Sequence, residues 1–125
     1  MAITTTPLPN DLAFNMTKES IANLTLSENL RSGPARIYGF DIDNTVAASS
    51  ANWLKVFNSD GKGLTVGTTT VDLLWPVKAS SVVDLHVPGG LYFNVGVSLF
   101  ASKEGGKTAT AAPDQNMAVH LITKE

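Results

Sequence analysis

The sequence predicts an all-β protein, an antiparallel β-sandwich, from three observations. Short segments in which apolar and polar residues alternate recur along most of the chain, as strands half-buried in a sheet require. Clusters of Gly, Pro, Asn and Asp separate these segments at short intervals. After residue 30, no segment repeats its apolar residues with the 3.6-residue period of a helix. Six to eight strands joined by short turns are typical of a sandwich or barrel, and we expect a jelly-roll-like form.

The chain is long enough for one domain, and its N-terminal segment differs from the remainder. With 125 residues it is too short for two independent cores. Residues 1–20 contain three consecutive threonines and two prolines, and they follow neither a helical nor a strand period. We therefore expect an extended N-terminal arm over residues 1–20, docked on another chain, and a β-sandwich domain over residues 21–125.

Two strands are predicted in the first half of the sandwich, and a third segment is ambiguous. Residues 36–44 and 52–58 alternate between apolar and polar positions, and a Gly-rich turn follows at residues 59–63. Residues 21–26 are a weaker strand candidate, because a short helix opening at Thr17 competes with it. Within residues 36–44 we expect three large side chains in the core and two carboxylates outside it: Tyr38, Phe40 and Ile42 inward, Asp41 and Asp43 outward.

Four further strands are predicted in the second half, each bounded by turn-forming residues: 68–75, 81–87, 91–100 and 117–123. The first is rich in β-branched side chains and is followed by Pro76, which marks a strand end or a sheet edge. The second ends at a Pro-Gly-Gly turn at residues 88–90. The third has the most regular alternation in the chain and is the strongest of the predicted strands.

Composition excludes several classes of protein and site. The chain has no cysteine, so disulfides and thiolate metal sites are excluded. A net charge of −2, with only 16% charged residues, supplies no field that would attract nucleic acid or an anionic membrane. The apolar runs are far shorter than a bilayer span, and the N-terminus lacks the pattern of a secretion signal. We therefore expect neither nucleic acid nor a membrane as a partner.

One short stretch contains the letters of an enzyme signature. Residues 38–46, YGFDIDNTV, match the D-x-D-x-T-V pattern and so resemble haloacid-dehalogenase-like phosphatases, in which the first Asp attacks phosphorus and the second serves as acid and base. Such an enzyme also needs further carboxylates for Mg²⁺ and a parallel sheet with crossover helices. The sequence contains neither pattern. A Mg²⁺-dependent phosphatase using Asp41 is therefore a remote alternative, and we predict no catalytic residue.

No residue is predicted to bind a cofactor or a metal. The Gly-rich segments 61–66 and 101–108 lack the glycine spacing and the following helix of phosphate-binding loops. His86 and His120 are the only histidines, and the sequence places no set of ligands around them. Asp84 and His86 share one predicted strand face, which is a weak hint of a site.

Two stretches resemble a group of viral proteins. YGFDIDNTVAASSANWLKVFNS (residues 38–59) and WPVKASSVVDLHVPGGLYFNVGVSLFA (residues 75–101) are similar to small β-sandwich proteins encoded among phage structural genes, of the capsid decoration or cement type. The resemblance implies a jelly-roll sandwich with an extended arm, forming trimers that bind the major capsid protein on the virion surface. It also implies assembly in the host cytoplasm, and it implies no active site and no cofactor.

A glycan-binding or tail-associated β-sandwich module of a virion is the alternative. Aromatic rings with one exposed face form platforms for sugars, and Trp53 or Tyr92 would serve if it faced outward. Trp53 and Phe57 would form a contact patch with Lys55 if that strand face were exposed. Aromatic side chains on a half-buried sheet are more often part of the core.

Overall fold

The computed structural model describes residues 2–7, 14–23, 25–46, 51–106, 111–113 and 115–124. Over these residues the chain forms strands and turns without a helix, and so it has no helix long and apolar enough to cross a membrane. The strands of this part of the chain are β1 Ile3–Pro7, β2 Asn15–Ala22, β3 Ser27–Ser32, β4 Ala35–Asp43, β5 Asn52–Asn58, β6 Leu73–Val77, β7 Val82–Phe93, β8 Gly96–Ser102 and β9 Met117–Lys124.

The strands form two antiparallel sheets with the core between them. One sheet has five strands in the order β1-β2-β9-β4-β7, and the other has four in the order β3-β8-β5-β6. The core draws side chains from both sheets, among them Phe40 and Ile42 of β4, Leu54 of β5, Leu99 of β8 and Leu121 of β9. The predicted all-β antiparallel sandwich is confirmed.

The outer faces of the two sheets differ in how they are covered. Along β9 of the five-stranded sheet, buried and half-buried residues alternate, because only one face of the strand meets the core. All seven residues of β8 in the four-stranded sheet are buried. A second apolar cluster of Phe57, Val71 and Phe100 covers the outer face there. Among the described residues, the five-stranded sheet therefore leaves more of its outer face open than the four-stranded sheet does.

A bulge at Tyr38 changes the predicted orientation of part of β4. Phe40 and Ile42 point into the core as predicted, but the next buried side chain toward the N-terminus is Ile37, and Tyr38 is only half-buried. The pairing of β4 with β9 steps from Ile37 to Gly39 while β9 advances by one residue, so Tyr38 is the extra residue of a bulge. The extra residue reverses the alternation, and the expectation that Tyr38 lies in the core is wrong.

The turn expected at residues 88–90 is not where the chain reverses. β7 continues through this Pro-Gly-Gly segment and pairs with β4 on both sides of it. Its two glycines have φ of 80° and 79°, which lets the segment loop out without ending the strand. The reversal lies at Asn94 and Val95, where the Asn58 amide donates to Asn94 Oδ1 at 2.7 Å and Asn58 Oδ1 accepts Val95 N–H at 3.1 Å. The single strand predicted over residues 91–100 is therefore wrong.

β6 begins later than the strand predicted for that region. A turn comes first, in which Thr65 O accepts hydrogen bonds from Thr68 N at 3.0 Å and Thr69 N at 2.9 Å. Pro76 lies inside β6 instead of ending it. β6 is the last strand of its sheet, and an edge strand tolerates a proline because the missing N–H can face outward.

The N-terminal segment belongs to the five-stranded sheet wherever it is described. Residues 3–7 form β1 at the edge, and residues 15–22 form β2 between β1 and β9. The arm expected over residues 1–20 is therefore part of the sandwich at these positions. The candidate strand over 21–26 and the helix opening at Thr17 are both replaced by β2.

Glu19 shows why this segment packs on the sandwich. Its side chain is completely buried, and its carboxylate accepts hydrogen bonds from Ala2 N at 2.9 Å, Ile21 N at 3.0 Å and Ser27 Oγ at 2.6 Å. Burial alone would raise the pKa of Glu19, but these donors outweigh it and hold the pKa below its ordinary value. One carboxylate thus ties the N-terminal segment to both sheets. Residues 8–13 of the expected arm lie outside the described residues.

Candidate functional site

The outer face of the five-stranded sheet carries the carboxylate singled out by the enzyme signature. At Asp41 of β4, the cross-strand neighbours are His120 of β9 and Asp84 of β7. Lys18 of β2 is in turn opposite His120. Four ionisable side chains from four adjacent strands therefore stand side by side. We call them the polar row, in the order Lys18, His120, Asp41 and Asp84.

A depression of about 370 Å³ lies beside the polar row, around Gly39. Because Gly39 has no side chain, the outward side chains of the neighbouring strands surround an unfilled position on β4. A methyl group there would lie 3.4 Å from Leu85 O and 3.6 Å from Ile122 Cγ1, so the space would accept it. The depression has apolar and ionisable walls, which include Met16, Ile122, Asp41, Asp84, His86 and His120.

Asp41 has a perturbed protonation equilibrium. Partial burial and the charge of Asp84 raise the pKa of Asp41, while His120 on the other side opposes the change. A hydrogen bond between the two carboxyl groups raises the pKa further, because one of them must carry the shared proton. Like charges directly opposite each other destabilise a strand pair. The Asp41–Asp84 pair therefore costs stability in a single chain at neutral pH.

Asp43 and Thr45 form a turn, and this accounts for two more letters of the enzyme signature. Asp43 Oδ1 accepts hydrogen bonds from Thr45 N at 2.8 Å and from Thr45 Oγ1 at 2.6 Å. These two donors hold the pKa of Asp43 below its ordinary value. An aspartate that accepts a backbone N–H two residues later is a common way to end a strand. The expectation that Asp43 points out of the core is confirmed, and its partner is its own turn.

Asn44 fixes three segments of the sandwich together. Its side-chain amide donates to Val77 O at 3.3 Å and to Lys78 O at 3.0 Å, and its Oδ1 accepts a hydrogen bond from Asn52 Nδ2 at 2.9 Å. Both asparagines are completely buried. The end of β4, the start of β5 and the end of β6 therefore meet at one amide. The signature residues after Asp41 thus have structural partners that need no substrate.

The two histidines meet at the depression although they are far apart in the sequence. Asp84 and His86 both lie on the outer face of β7, as the sequence predicts. His120 joins them because β9 pairs with β4, and Nδ1 of this histidine is buried without a hydrogen-bond partner. Sequence reasoning missed the meeting of His120 with Asp41. Outward positions can be read from alternation, but the pairing of two distant strands cannot.

The surroundings of Asp41 differ from those that the phosphatase signature requires. β4 pairs antiparallel on both sides, whereas the phosphatase signature belongs to a parallel sheet. Within the described residues, no three His, Cys, Asp or Glu side chains are grouped closely enough to hold a metal ion. What remains is a set of carboxylate and imidazole groups beside an apolar wall, which suits hydrogen bonding to a ligand or a neighbouring chain.

The aromatic side chains considered as platforms differ in accessibility. The contact patch that an exposed Trp53, Lys55 and Phe57 would form is absent: Phe57 is buried, and Lys55 is covered and donates to Gly106 O. Burial lowers the pKa of Lys55. Trp53 is half-buried, and Gly105 lies so close to its ring that a methyl group there would be 2.7 Å away.

Tyr92 is the platform candidate that the structure leaves accessible. Its side chain is 53% exposed, and the Arg36 guanidinium lies 5.1 Å from the ring centroid. Trp75, by contrast, packs against the main core. Of the two residues named as a sugar platform, Tyr92 is therefore exposed and Trp53 is half-buried.

No protein-family model matches the chain, and none of the curated proteins is significantly similar to it in sequence.

Proposed function

We propose that this protein is a structural protein of a phage virion, which decorates the capsid as a cement protein. The observation that carries the proposal is the strand order. β2 to β9 divide into β2-β9-β4-β7 and β3-β8-β5-β6, so the chain changes sheet at every connection except β5 to β6. This order supports the jelly-roll form of the sandwich, a form that recurs in viral capsid and lectin domains.

Surface composition is the second support, since a fold alone does not establish a function. Only 16% of the residues are charged, which suits a protein that covers much of its surface with neighbours. In the proposed role, each copy contacts the major capsid protein and further copies, with a trimer around a three-fold axis. Many modest contacts then stabilise the shell, because each bound copy favours the assembled state by mass action.

In the proposed role, the N-terminal segment is the part of each copy that contacts the shell. β1 is an edge strand, and Thr4 and Thr6 are exposed. Edge strands carry unpaired backbone groups that pair readily with another chain. The role needs no catalytic residue and no cofactor, and it places the protein on the capsid surface after assembly in the host cytoplasm.

Fractionation of virions tests the proposal directly. Virions and empty capsids are separated from free protein on a density gradient, and each fraction is probed with an antibody against this chain. We expect the protein to migrate with the particles and to leave them only when the shells are disrupted. Detection of the protein in the free fraction alone, in a culture that is producing particles, contradicts the proposal.

A glycan-binding module of a virion is a second candidate, and the exposed ring of Tyr92 is the observation that favours it. Jelly rolls also occur among lectin domains. A glycan array probed with the wild type and with Tyr92→Ala separates the candidates. Hits that disappear in the variant support sugar binding, whereas an array without hits for the wild type removes this candidate.

The remote phosphatase alternative has a simple assay. A generic phosphate ester with Mg²⁺ is offered to the wild type and to Asp41→Asn. We expect equal background rates from both, because β4 is antiparallel to both of its neighbours and no three His, Asp or Glu side chains among the described residues are grouped to hold Mg²⁺. Hydrolysis by the wild type that is lost in Asp41→Asn would reinstate the enzyme.

A further inference from the structure

β7 ends the five-stranded sheet, and no other described strand pairs with its outer side. The strand has 12 residues, and residues 82–87 alternate regularly before the Pro-Gly-Gly segment interrupts them. A free edge presents unpaired backbone N–H and C=O groups, which act as a template for another strand. Residues 82–87 are therefore a surface on which a further strand can extend the sheet.

The apolar side chains of this segment are incompletely covered. Val83 and Leu85 pack against the main core but stay only partly buried, and Val87 is partly buried as well. On the outer face, Val82 is 50% exposed. A half-covered apolar row at a sheet edge gains burial when an added strand brings apolar side chains beside it. A strand that fits this edge should therefore also carry apolar residues at every second position.

The outward side chains indicate which strand fits. Asp84 and His86 stand on either side of Leu85 along the strand. An antiparallel copy of the same segment, related by a two-fold axis at Leu85, sets each Asp84 opposite the His86 of the other copy. The same register sets Val83 opposite Val87 on the inner face. Moving the axis to Asp84 would instead set two Asp84 carboxylates opposite each other, which is destabilising.

We propose that the protein self-associates through β7, with residues 83–87 of two copies paired antiparallel about a two-fold axis at Leu85. The interface is isologous, so every contact occurs twice, including the hydrogen bond from the imidazole of His86 to the carboxylate of Asp84. The five-stranded sheets of the two copies become one continuous sheet. The partner is therefore a second copy of this chain, chosen by the charge pattern of its own edge.

The polar row gives an independent reason for this register. Asp84 ends the row at the open edge and has the carboxyl of Asp41 on its inner side. In the paired form, the imidazole of His86 from the other copy stands on its open side and donates a hydrogen bond to it. The interface thus supplies a donor to this pair of carboxyls on the β7 side.

Self-association through β7 is independent of the proposed virion role. A two-fold contact alone gives a dimer, and it gives a hexamer of D3 symmetry with the proposed trimer where the two-fold axis crosses the three-fold axis at a right angle. A six-residue edge buries less surface than the roughly 800 Å² per partner of a stable interface, so we expect dissociation in the micromolar range. A failure of this contact leaves the virion proposal untouched, and loss of the virion role leaves the contact untouched.

Sedimentation equilibrium of the full chain, up to about 200 µM, tests the contact with an exchange of charges. Asp84→His alone sets two histidines opposite each other, and His86→Asp alone sets two carboxylates opposite each other. Each change is expected to weaken self-association about tenfold or more. The double variant Asp84→His with His86→Asp exchanges the partners and is expected to return within about threefold of the wild type.

Hydrogen exchange of the wild type provides a measurement that needs no variant. Outward-facing amides of residues 83–87 should become protected as the protein concentration rises, because they acquire partners in the second copy. Unchanged protection overturns the proposal. So does a wild type that is only monomeric or trimeric over the full range, or a pair of single variants that associate as the wild type does. A double variant as weak as the single ones overturns the register.

Discussion

Asn44 illustrates how a residue inside an enzyme-like signature can have a structural role. Its side chain is buried and bonded to Val77 O, Lys78 O and Asn52 Nδ2. Val77 O and Asn52 Nδ2 would be left buried without this partner if the amide were removed. Unsatisfied buried polar groups cost about 1–3 kcal/mol. The letters D-N-T after Ile42 are therefore explained by the end of a strand and the turn that follows it.

Asn44→Ala is expected to lower the free energy of unfolding by about 1–3 kcal/mol. Urea denaturation measures this as a lower midpoint with an unchanged slope. Asn94→Ala is the matched control, because Asn94 also accepts a hydrogen bond from an asparagine, at 2.7 Å, but on the exposed surface. Equal losses in the free energy of unfolding would show that the buried hydrogen bonds of Asn44 stabilise the fold no more than the exposed one of Asn94.

Asp41 and Asp43 are two positions apart on β4, but their pKa values are displaced in opposite directions. Burial and Asp84 raise the pKa of Asp41, whereas the Thr45 donors lower the pKa of Asp43. A raised carboxyl pKa means that the folded state holds the proton more tightly, so its contribution is favourable below the ordinary pKa and is lost as pH rises. A lowered pKa acts in the opposite sense.

Asp41→Asn is therefore expected to raise the melting temperature at pH 7, and this gain should vanish as pH falls below 3.8. Asp43→Asn is the companion variant and is expected to lower the melting temperature at pH 7. Its deficit should shrink as pH falls below 3.8 toward the folded-state pKa. Thermal unfolding of both variants between pH 2.5 and 7, in about half-unit steps, measures the two trends. Trends of the same sign would contradict the assignment of the two environments.

At the scale of elements, β4 and β7 depart together from a regular pairing. β4 has its bulge at Tyr38, and the Pro-Gly-Gly segment of β7 loops out opposite it. The two features fit each other closely at Gly90, where an added methyl group would lie 2.9 Å from Arg36 Cβ and 3.0 Å from Tyr38 Cζ. The backbone of β7 thus approaches these side chains too closely for any residue except glycine.

Gly89 and Gly90 allow this contact to be separated from backbone conformation. Both have φ near +80°, and an alanine in such a conformation costs about 1–2 kcal/mol. A methyl group at Gly89 meets nothing within 4 Å. Gly90→Ala should therefore reduce the free energy of unfolding by at least about 1 kcal/mol more than Gly89→Ala. Urea midpoints compare the two, and equal values would mean that the close contact is relieved at no cost.

The whole molecule depends on its N-terminal segment for one edge of the larger sheet. β1 pairs with β2, and Ala2 N donates to the buried carboxylate of Glu19. A chain that starts at Phe14 after the initiator methionine loses this strand and one of the three donors to Glu19. The loss exposes the edge of β2 and leaves a buried carboxylate with fewer partners, which is destabilising.

The shortened chain is expected to keep its β-rich circular dichroism spectrum and to melt at a lower temperature than the full chain. If the N-terminal segment is the part of each copy that contacts the shell, the shortened chain is also expected not to bind capsids. An unchanged melting temperature contradicts the structural role of β1. Normal capsid occupancy contradicts the proposed contact with the shell, whatever the melting temperature.

Alternation along the sequence was sufficient to predict the fold class and the orientation of several side chains. Phe40 and Ile42 point inward and Asp41 points outward, because successive side chains of a strand point to opposite faces whatever the partner strand is. Asp84 and His86 share the outer face of β7 for the same reason. These properties are local, so the sequence by itself determines them.

Only the tertiary structure decided where the alternation changes phase and which residues meet. The bulge at Tyr38 turns Ile37 inward, since the pairing with β9 needs one extra residue on β4. His120 reaches Asp41 through the same pairing, and the reversal at Asn94 depends on Asn58 of another strand. Such contacts depend on the register between strands that are distant in sequence, and no local pattern contains that register.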